Sequence, residues 1–230
     1  MHDSLQVLEN LETRVRSDRV RGQLGYPPEA LVPAVVLERI DREIQCSIPL
    51  VRTAAMYRIF AIASLTRESV ALEGGITFHG AIGKFLGQVE RLAVFLVTAG
   101  DAIDQKAQEE FAAGRILEGM VANAVGSEAA DSATGALKET LRQAVAREEL
   151  AITLPYSPGY CGMDLKEQWN VFSALDASRI GVRLLPSGIM VPIKSVSGVI
   201  GIGSPAVVDD SGSPCERCNK EDCNMRRYLS

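Results

Sequence analysis

Apolar positions near the start of the chain recur at helical spacing. Residues 3–22 carry Leu5, Leu8, Leu11 and Val15 among charged neighbours, the pattern of an amphipathic helix. Gly22 and Gly25-Tyr26-Pro27-Pro28 are expected to end it. Residues 29–47 repeat Ala30, Leu31, Val35, Val36, Ile40 and Ile44 near a period of 3.6, with Pro33 expected in the first turn. Residues 1–48 therefore read as a helical lead-in. From 49 to 100 the periodicity changes to short apolar runs, Ile59–Ala63, Val70–Leu72 and Ile76–Phe78, and the Gly74-Gly75 pair between the last two signals a hairpin. A turn of helix is expected within 82–89. The unbroken run from Arg91 to Ala99, closed by Gly100, predicts a buried strand.

Residues 101–150 are rich in Ala, Glu, Gln and Lys, with soft breaks at Gly114, Gly126 and Gly135. They predict two or three helices in series. Residues 164–175 place Leu165, Trp169, Phe172 and Leu175 on one helical face, expected to be core. The runs 180–185, 189–194 and 195–203 are strand-like and punctuated by Pro and Gly. This alternation lacks a βαβ cadence and predicts an α+β fold, with helices packed around a twisted antiparallel sheet built from 59–99 and 180–203. Residues 1–208 are expected to form one domain, followed by a linker and Cys-rich tail over 209–230.

Composition narrows the function classes. Of 230 residues 47% are hydrophobic and 23% charged, ordinary for a folded chain. The net charge of −5 offers no electrostatic footprint for nucleic acid. No apolar run is long enough for a membrane span and the first residues are polar, so a cytoplasmic location is the default expectation. Only His2 and His79 are available, too few for a His-based metal site or a Ser-His-Asp triad. His79 reads as a strand-end residue. The run Gly198-Val199-Ile200-Gly201-Ile202-Gly203 does not have dinucleotide-loop spacing.

Two stretches carry candidate chemistry. The first is the turn Tyr156-Ser157-Pro158-Gly159-Tyr160-Cys161-Gly162, where proline fixes φ and glycine permits φ > 0, so that a small molecule can approach main-chain amides. It is paired with a second turn expected at Ser195-Val196-Ser197-Gly198. The second stretch is the tail, Cys215-Glu216-Arg217-Cys218-Asn219-Lys220-Glu221-Asp222-Cys223. Three thiols at C-x2-C-x4-C spacing point to zinc or an iron–sulfur cluster rather than to disulfides. A fourth ligand is needed, and Cys161 is the natural candidate; Cys46, in a helix, reads as a buried structural thiol. Both metal chemistries accept four thiolates.

The order of S-P-G-Y-C-G, an amphipathic helix, an I-G-V strand and M-V-P-I-K-S-V-S-G resembles the activation domain of cobalamin-dependent methionine synthase, in particular its free-standing forms. The motif-bearing match covers the last third of the chain, with weaker echoes at Leu24-Gly25-Tyr26 and Gly126-Ser127-Glu128-Ala129. The resemblance implies reactivation: a cobalamin oxidised to Co(II) is reduced by one electron and methylated from S-adenosylmethionine. It assigns ligand contacts to Glu128, Tyr156, Ser157, Pro158, Gly159 and Tyr160, and to Ser195, Val196, Ser197 and Gly198. Where the family has an arginine just before the first turn this chain has Pro155, and an aromatic pair after V-S-G is replaced by Ile200-Gly201. The D-x-H-x-x-G cobalamin motif is absent, so the corrinoid is expected on a separate methyltransferase module or protein, with a flavodoxin- or ferredoxin-like electron donor.

Three functions stay open at this level: an activator in trans that binds S-adenosylmethionine, a reductive activator using an iron–sulfur cluster in the tail, and a non-catalytic partner of a corrinoid protein with a zinc-stapled or metal-free tail. The reaction implied needs a low-potential electron, and cysteine-ligated clusters reach about −700 mV.

Overall fold

The apolar run at 91–98 forms the central strand of a curled antiparallel sheet. The computed structural model describes residues 4–26 and 29–212, together with Pro214 and Glu216. In it β2 (Ala54–Leu65), β3 (Ser69–Leu72), β4 (Thr77–His79), β5 (Arg91–Thr98), β6 (Ala151–Ile152) and β9 (Ser195–Gly203) are ordered β4-β3-β2-β5-β9-β6. A further strand, β1 (Gln6–Glu9), shares an edge of β2 with β3, pairing its first residues while β3 pairs its last. Every pairing is antiparallel. The helices are α1 (Ser17–Gln23), α2 (Ala34–Ser47), α3 (Ile82–Leu86), α4 (Asp101–Ala112), α5 (Ile116–Ala146) and α6 (Gln168–Ala174). The α+β architecture expected from the sequence is the one observed.

Side-chain alternation along β5 divides the core. Leu92, Val94 and Leu96 face a cluster closed by α3 and by residues 154–182, with α6 among them. Ala93, Phe95 and Val97 face Leu137, Leu141 and Val145 of α5. At 31 residues α5 extends about 46 Å, so its first half projects beyond this contact and packs on α1, α2 and α4 through Val121, Ala122, Val125 and Ala129. Small residues allow that close approach. At Gly126 a Cβ would stand 2.8 Å from Lys194 Cγ, so this glycine is a contact point rather than a helix break. Gly135 also lies within α5, and the break that does separate two helices is Gly114.

Several expectations are corrected. Residues 3–22 are not one helix: Gln6–Glu9 is strand, because β2 offers it a hydrogen-bonded edge from Ala54 to Tyr57. Val7 and Leu8 then pack on opposite faces of the sheet, into separate clusters. The second helix begins at Ala34, with Pro33 at its cap rather than in its first turn. Of the 180–203 segments only β9 joins the main sheet; β7 (Arg183–Leu184) and β8 (Met190–Val191) form a separate two-stranded hairpin. Cys46 is exposed. Leu165 and Trp169, expected in the core, are 49% and 47% exposed. The face of α6 that is buried carries Gln168, Val171 and Ala174 instead.

Glu110 locks the corner between α4 and α5. It accepts from Lys106 Nζ at 2.7 Å and from Arg115 Nε, and Lys106 also reaches Glu43 of α2 at 3.2 Å. These hydrogen bonds, Arg115 first, pull the Glu110 carboxyl from 4.5 down to about 2. A depressed folded value means that the contribution is complete above the unfolded value and disappears as the group is protonated in the folded state. The stability difference between the wild type and Glu110→Gln, followed by urea midpoints, is therefore expected to be constant above pH 4.5 and to vanish towards pH 2. A pH-independent difference would contradict this assignment.

Candidate functional site

A cleft of about 450 Å³ opens between the loop at 155–161 and the first residues of β9. Its geometry follows from the point where these two segments part. Tyr156 and Val199 exchange backbone hydrogen bonds of 2.9 and 2.8 Å, making an isolated bridge on the edge of β9. Upstream of Val199 on β9, no strand among the described residues pairs that edge. Backbone groups alternate along a strand, so the N–H and C=O of Ser197 turn to the same side as those of Val199, which is the cleft side.

Each wall is braced from behind. Tyr156 is buried, stacks near Phe85 with ring centres 5.6 Å apart, and donates its hydroxyl to the Phe85 carbonyl at 3.3 Å. Within the loop, Gly159 N–H donates to Met163 O and Tyr160 N–H to Ser157 O. Those two amides are thus committed to the loop. Below the loop, Glu167 accepts from the His79 amide at 3.1 Å and from Asn170 Nδ2 at 2.7 Å, and Asn170 also donates to Thr77 O. These bonds tie the start of α6 to β4.

The other wall depends on Asp104 of α4. Its buried carboxylate accepts from the amides of Ile193 and, at 3.3 Å, Lys194. The loop it holds contains the cis Val191–Pro192 peptide and ends at Ser195, whose Oγ lies 3.0 Å from Thr98 Oγ1 and 2.8 Å from Pro192 O. Burial pushes the Asp104 carboxyl up from its usual value, opposed by the two amides.

The cleft collects most of the residues that the resemblance assigned to a ligand. Tyr156, Ser157, Pro158 and Tyr160 line one side and Ser195, Val196 and Ser197 the other, with Pro155 and Cys161 beside them. Gly159, which is exposed, and Gly198, which is buried, are not among the lining residues, and 195–198 is the start of a strand rather than a turn. Glu128 is buried in α5, near Arg19 and Arg16, and its Oε2 has no hydrogen-bond partner among the described residues. The acid that lines the cleft is Asp131, one helical turn further on. Sequence reading missed it, although i and i+3 spacing puts both acids on one face. Asp131 is exposed, yet it sits in a concave wall whose surrounding protein pushes its carboxyl up, opposed by the charges of Arg19 and Lys194. Lys194, bonded through Nζ to Ser127 Oγ at 2.9 Å, is pushed down by burial.

Two apolar lining residues of the cleft, Tyr160 and Leu165, are exposed, as are Trp169, Ile189 and Ile193 on the neighbouring segments, and Leu165 lies against Gly188 of the β7–β8 hairpin. A larger open cleft of about 670 Å³ lies elsewhere, between Phe60, Glu73 and Ser173. Its arginines are engaged, Arg58 over the Phe60 ring at 4.9 Å and Arg91 with Glu148 at 2.7 Å. That leaves the smaller cleft as the better-equipped site.

Cys215, Cys218 and Cys223 lie outside the described residues. Among the described residues no group of three metal-ligating side chains occurs, and no helix is long and apolar enough to cross a membrane. Cys161 lines the cleft in a left-handed conformation, φ 49°, with its Sγ 3.5 Å from Pro214 O.

No family model and no curated protein matches the sequence. Among solved structures the chain is similar to the MetH reactivation domain bound to AdoHcy, at a TM-score of 0.68 over 87% of this chain and 78% of that one, with 15% identity. At that identity the likeness is one of fold, carried by the curled antiparallel sheet and its covering helices: the chain has the fold of the MetH reactivation domain.

Proposed function

We propose that this protein reactivates a corrinoid-dependent methyltransferase in trans, holding S-adenosylmethionine in the cleft between residues 155–161 and 195–197. The observation that carries this reading is the convergence, in one cleft, of both motif-bearing segments with the carboxylate of Asp131. The solved structure of the same fold binds AdoHcy, the demethylated form of that ligand. The ligand's ammonium and sulfonium are cationic. Asp131 supplies the anionic partner for the ammonium, and the edge of β9 at Ser197 offers one donor and one acceptor to its polar groups.

The chemistry follows from the corrinoid, which the partner brings as substrate. A flavodoxin- or ferredoxin-like donor delivers one electron to Co(II), giving Co(I). Co(I) attacks the methyl carbon, the carbon–sulfur bond breaks, and its electron pair leaves on sulfur, so that methyl-Co(III) and S-adenosylhomocysteine result. The protein's part is orientation: the cleft holds the sulfonium, and the exposed side chains of Tyr160, Leu165, Trp169, Ile189 and Ile193 give an apolar macrocycle and its carrier a surface to settle on.

A titration of the protein with S-adenosylmethionine and with S-adenosylhomocysteine tests the reading. Wild type is expected to bind both. Asp131→Ala is expected to weaken binding tenfold to a hundredfold, since a hydrogen bond between charged groups contributes about 1.5–3 kcal/mol. Heat on neither titration, or equal affinity in the variant, would reject the assignment.

A further inference from the structure

We infer that Lys194 binds the carboxylate of the amino-acid group whose ammonium Asp131 holds, so that these two side chains together select a ligand with a zwitterionic end. The inference deepens the reactivation reading and rests on its placement of S-adenosylmethionine in the cleft. Its starting point is an imbalance of charge. Among the described residues that line the cleft there is an acid, Asp131, but neither a lysine nor an arginine. Pro155, which lines it too, has no N–H to donate. An amino-acid group carries its two opposite charges on a single carbon, so the carboxylate needs a cation close to Asp131.

Lys194 meets that need. It directly precedes Ser195, the first residue of β9 and part of the cleft wall. Its backbone is fixed on both sides: the amide donates to Asp104 at 3.3 Å, and the carbonyl accepts from the Ala99 amide at 2.8 Å. The side chain then passes α5 at Gly126, where a Cβ would stand 2.8 Å from Lys194 Cγ, so the absent side chain leaves room for the stem. Beyond it Nζ donates to Ser127 Oγ at 2.9 Å. Ser127 and Asp131 are four residues apart on one helix, which sets their Cβ atoms about 5–6 Å apart. The ammonium is thereby held about one helical turn from the Asp131 carboxylate, whose carboxyl feels its charge. A lysine ammonium has three N–H donors and Ser127 takes one of them, so a ligand carboxylate can accept another. Burial pushes Lys194 down, opposed by Asp104 and Asp131, and a further anion in the cleft would stabilise its charged form. Arg19, the other cation beside Asp131, is an exposed residue of α1 whose charge also acts on the buried Glu128.

The test compares, on the full chain, S-adenosylmethionine with decarboxylated S-adenosylmethionine, which keeps the sulfonium and the ammonium and lacks only the carboxylate. Wild type is expected to bind the first about tenfold to a hundredfold more tightly, the range for a hydrogen bond between charged groups. Lys194→Met, which keeps an apolar stem and removes the charge, is expected to bind the two ligands alike, its loss falling on S-adenosylmethionine. Arg19→Gln is expected to keep the wild-type preference. A lysine that only braced the loop against α5 would weaken both ligands equally when replaced and leave their ratio unchanged. That outcome overturns the inference, as does a preference lost in Arg19→Gln instead. So does a wild type that binds both ligands without preference, a readout that requires no variant to fold. Wild type that binds neither ligand rejects the reactivation reading and Lys194 with it, whereas binding without preference rejects Lys194 alone, so the two failures are distinguishable.

Discussion

Gly198→Ala is expected to lower stability by about 3 kcal/mol and to abolish ligand binding in the cleft. A Cβ at Gly198 would stand 2.4 Å from the Tyr156 carbonyl oxygen and 3.0 Å from two atoms of the Phe95 ring. The oxygen is backbone and already accepts the Val199 amide at 2.8 Å, so it cannot swing aside as the end of a flexible side chain would. Phe95 is fully buried between β9 and α5. Relief therefore requires the 155–161 loop to move off the edge of β9, which breaks the Tyr156–Val199 bridge and parts the walls of the cleft. Overpacking of a tight core costs about 1–3 kcal/mol, and a lost bridge places this site at the upper end. For a chain of this size the melting temperature should fall by ~6–12 °C. A thermal melt and an S-adenosylmethionine titration of the same preparation check it; a melting temperature within a degree or two of wild type would show that the bridge is not the constraint described.

Asp104→Ala is expected to cost about 2–3 kcal/mol and to weaken the cleft, whereas Asp104→Asn should come close to wild type. Alanine leaves the Ile193 and Lys194 amides without their acceptor, and an unsatisfied buried donor costs about 1–3 kcal/mol. The two amides are only partly buried, so their losses do not reach the full sum. Asparagine retains a side-chain oxygen for them while removing a charge that burial disfavours. The sign of the pH dependence follows. Burial raises the folded Asp104 carboxyl above its unfolded 3.8, so as pH falls the folded chain takes up this proton before the unfolded chain does. Wild type should therefore gain on Asp104→Asn as pH drops from neutrality towards 3.8, and gain nothing further below it. Denaturant midpoints for the three proteins over that range test both claims. If Asn and Ala were equally destabilising, the carboxylate would matter through its charge and not as an acceptor for the loop.

Both effects reside in contacts that join distant parts of the chain. Asp104 and Ile193 are 89 residues apart, and neither the helix around Asp104 nor the loop around Pro192 marks the other in sequence. The same holds for Asp131. Its spacing from Glu128 shows that the two acids share a face of α5, yet only the packing of that helix over the Ser195–Ser197 edge determines which of them reaches the cleft.

The sequence by itself determined the α+β class, the central strand at 91–99, the Gly74-Gly75 hairpin and the helical region after residue 100. The signals behind these are local: apolar periodicity, glycine and proline at turns, and a run of residues apolar on both strand faces. Tertiary structure decided what those signals leave open. Residues 6–9 became strand because β2 presented an edge to them, and a backbone hydrogen-bonding opportunity outweighs helical spacing in so short a segment. Leu165 and Trp169 stayed exposed because periodicity defines a face without saying what covers it.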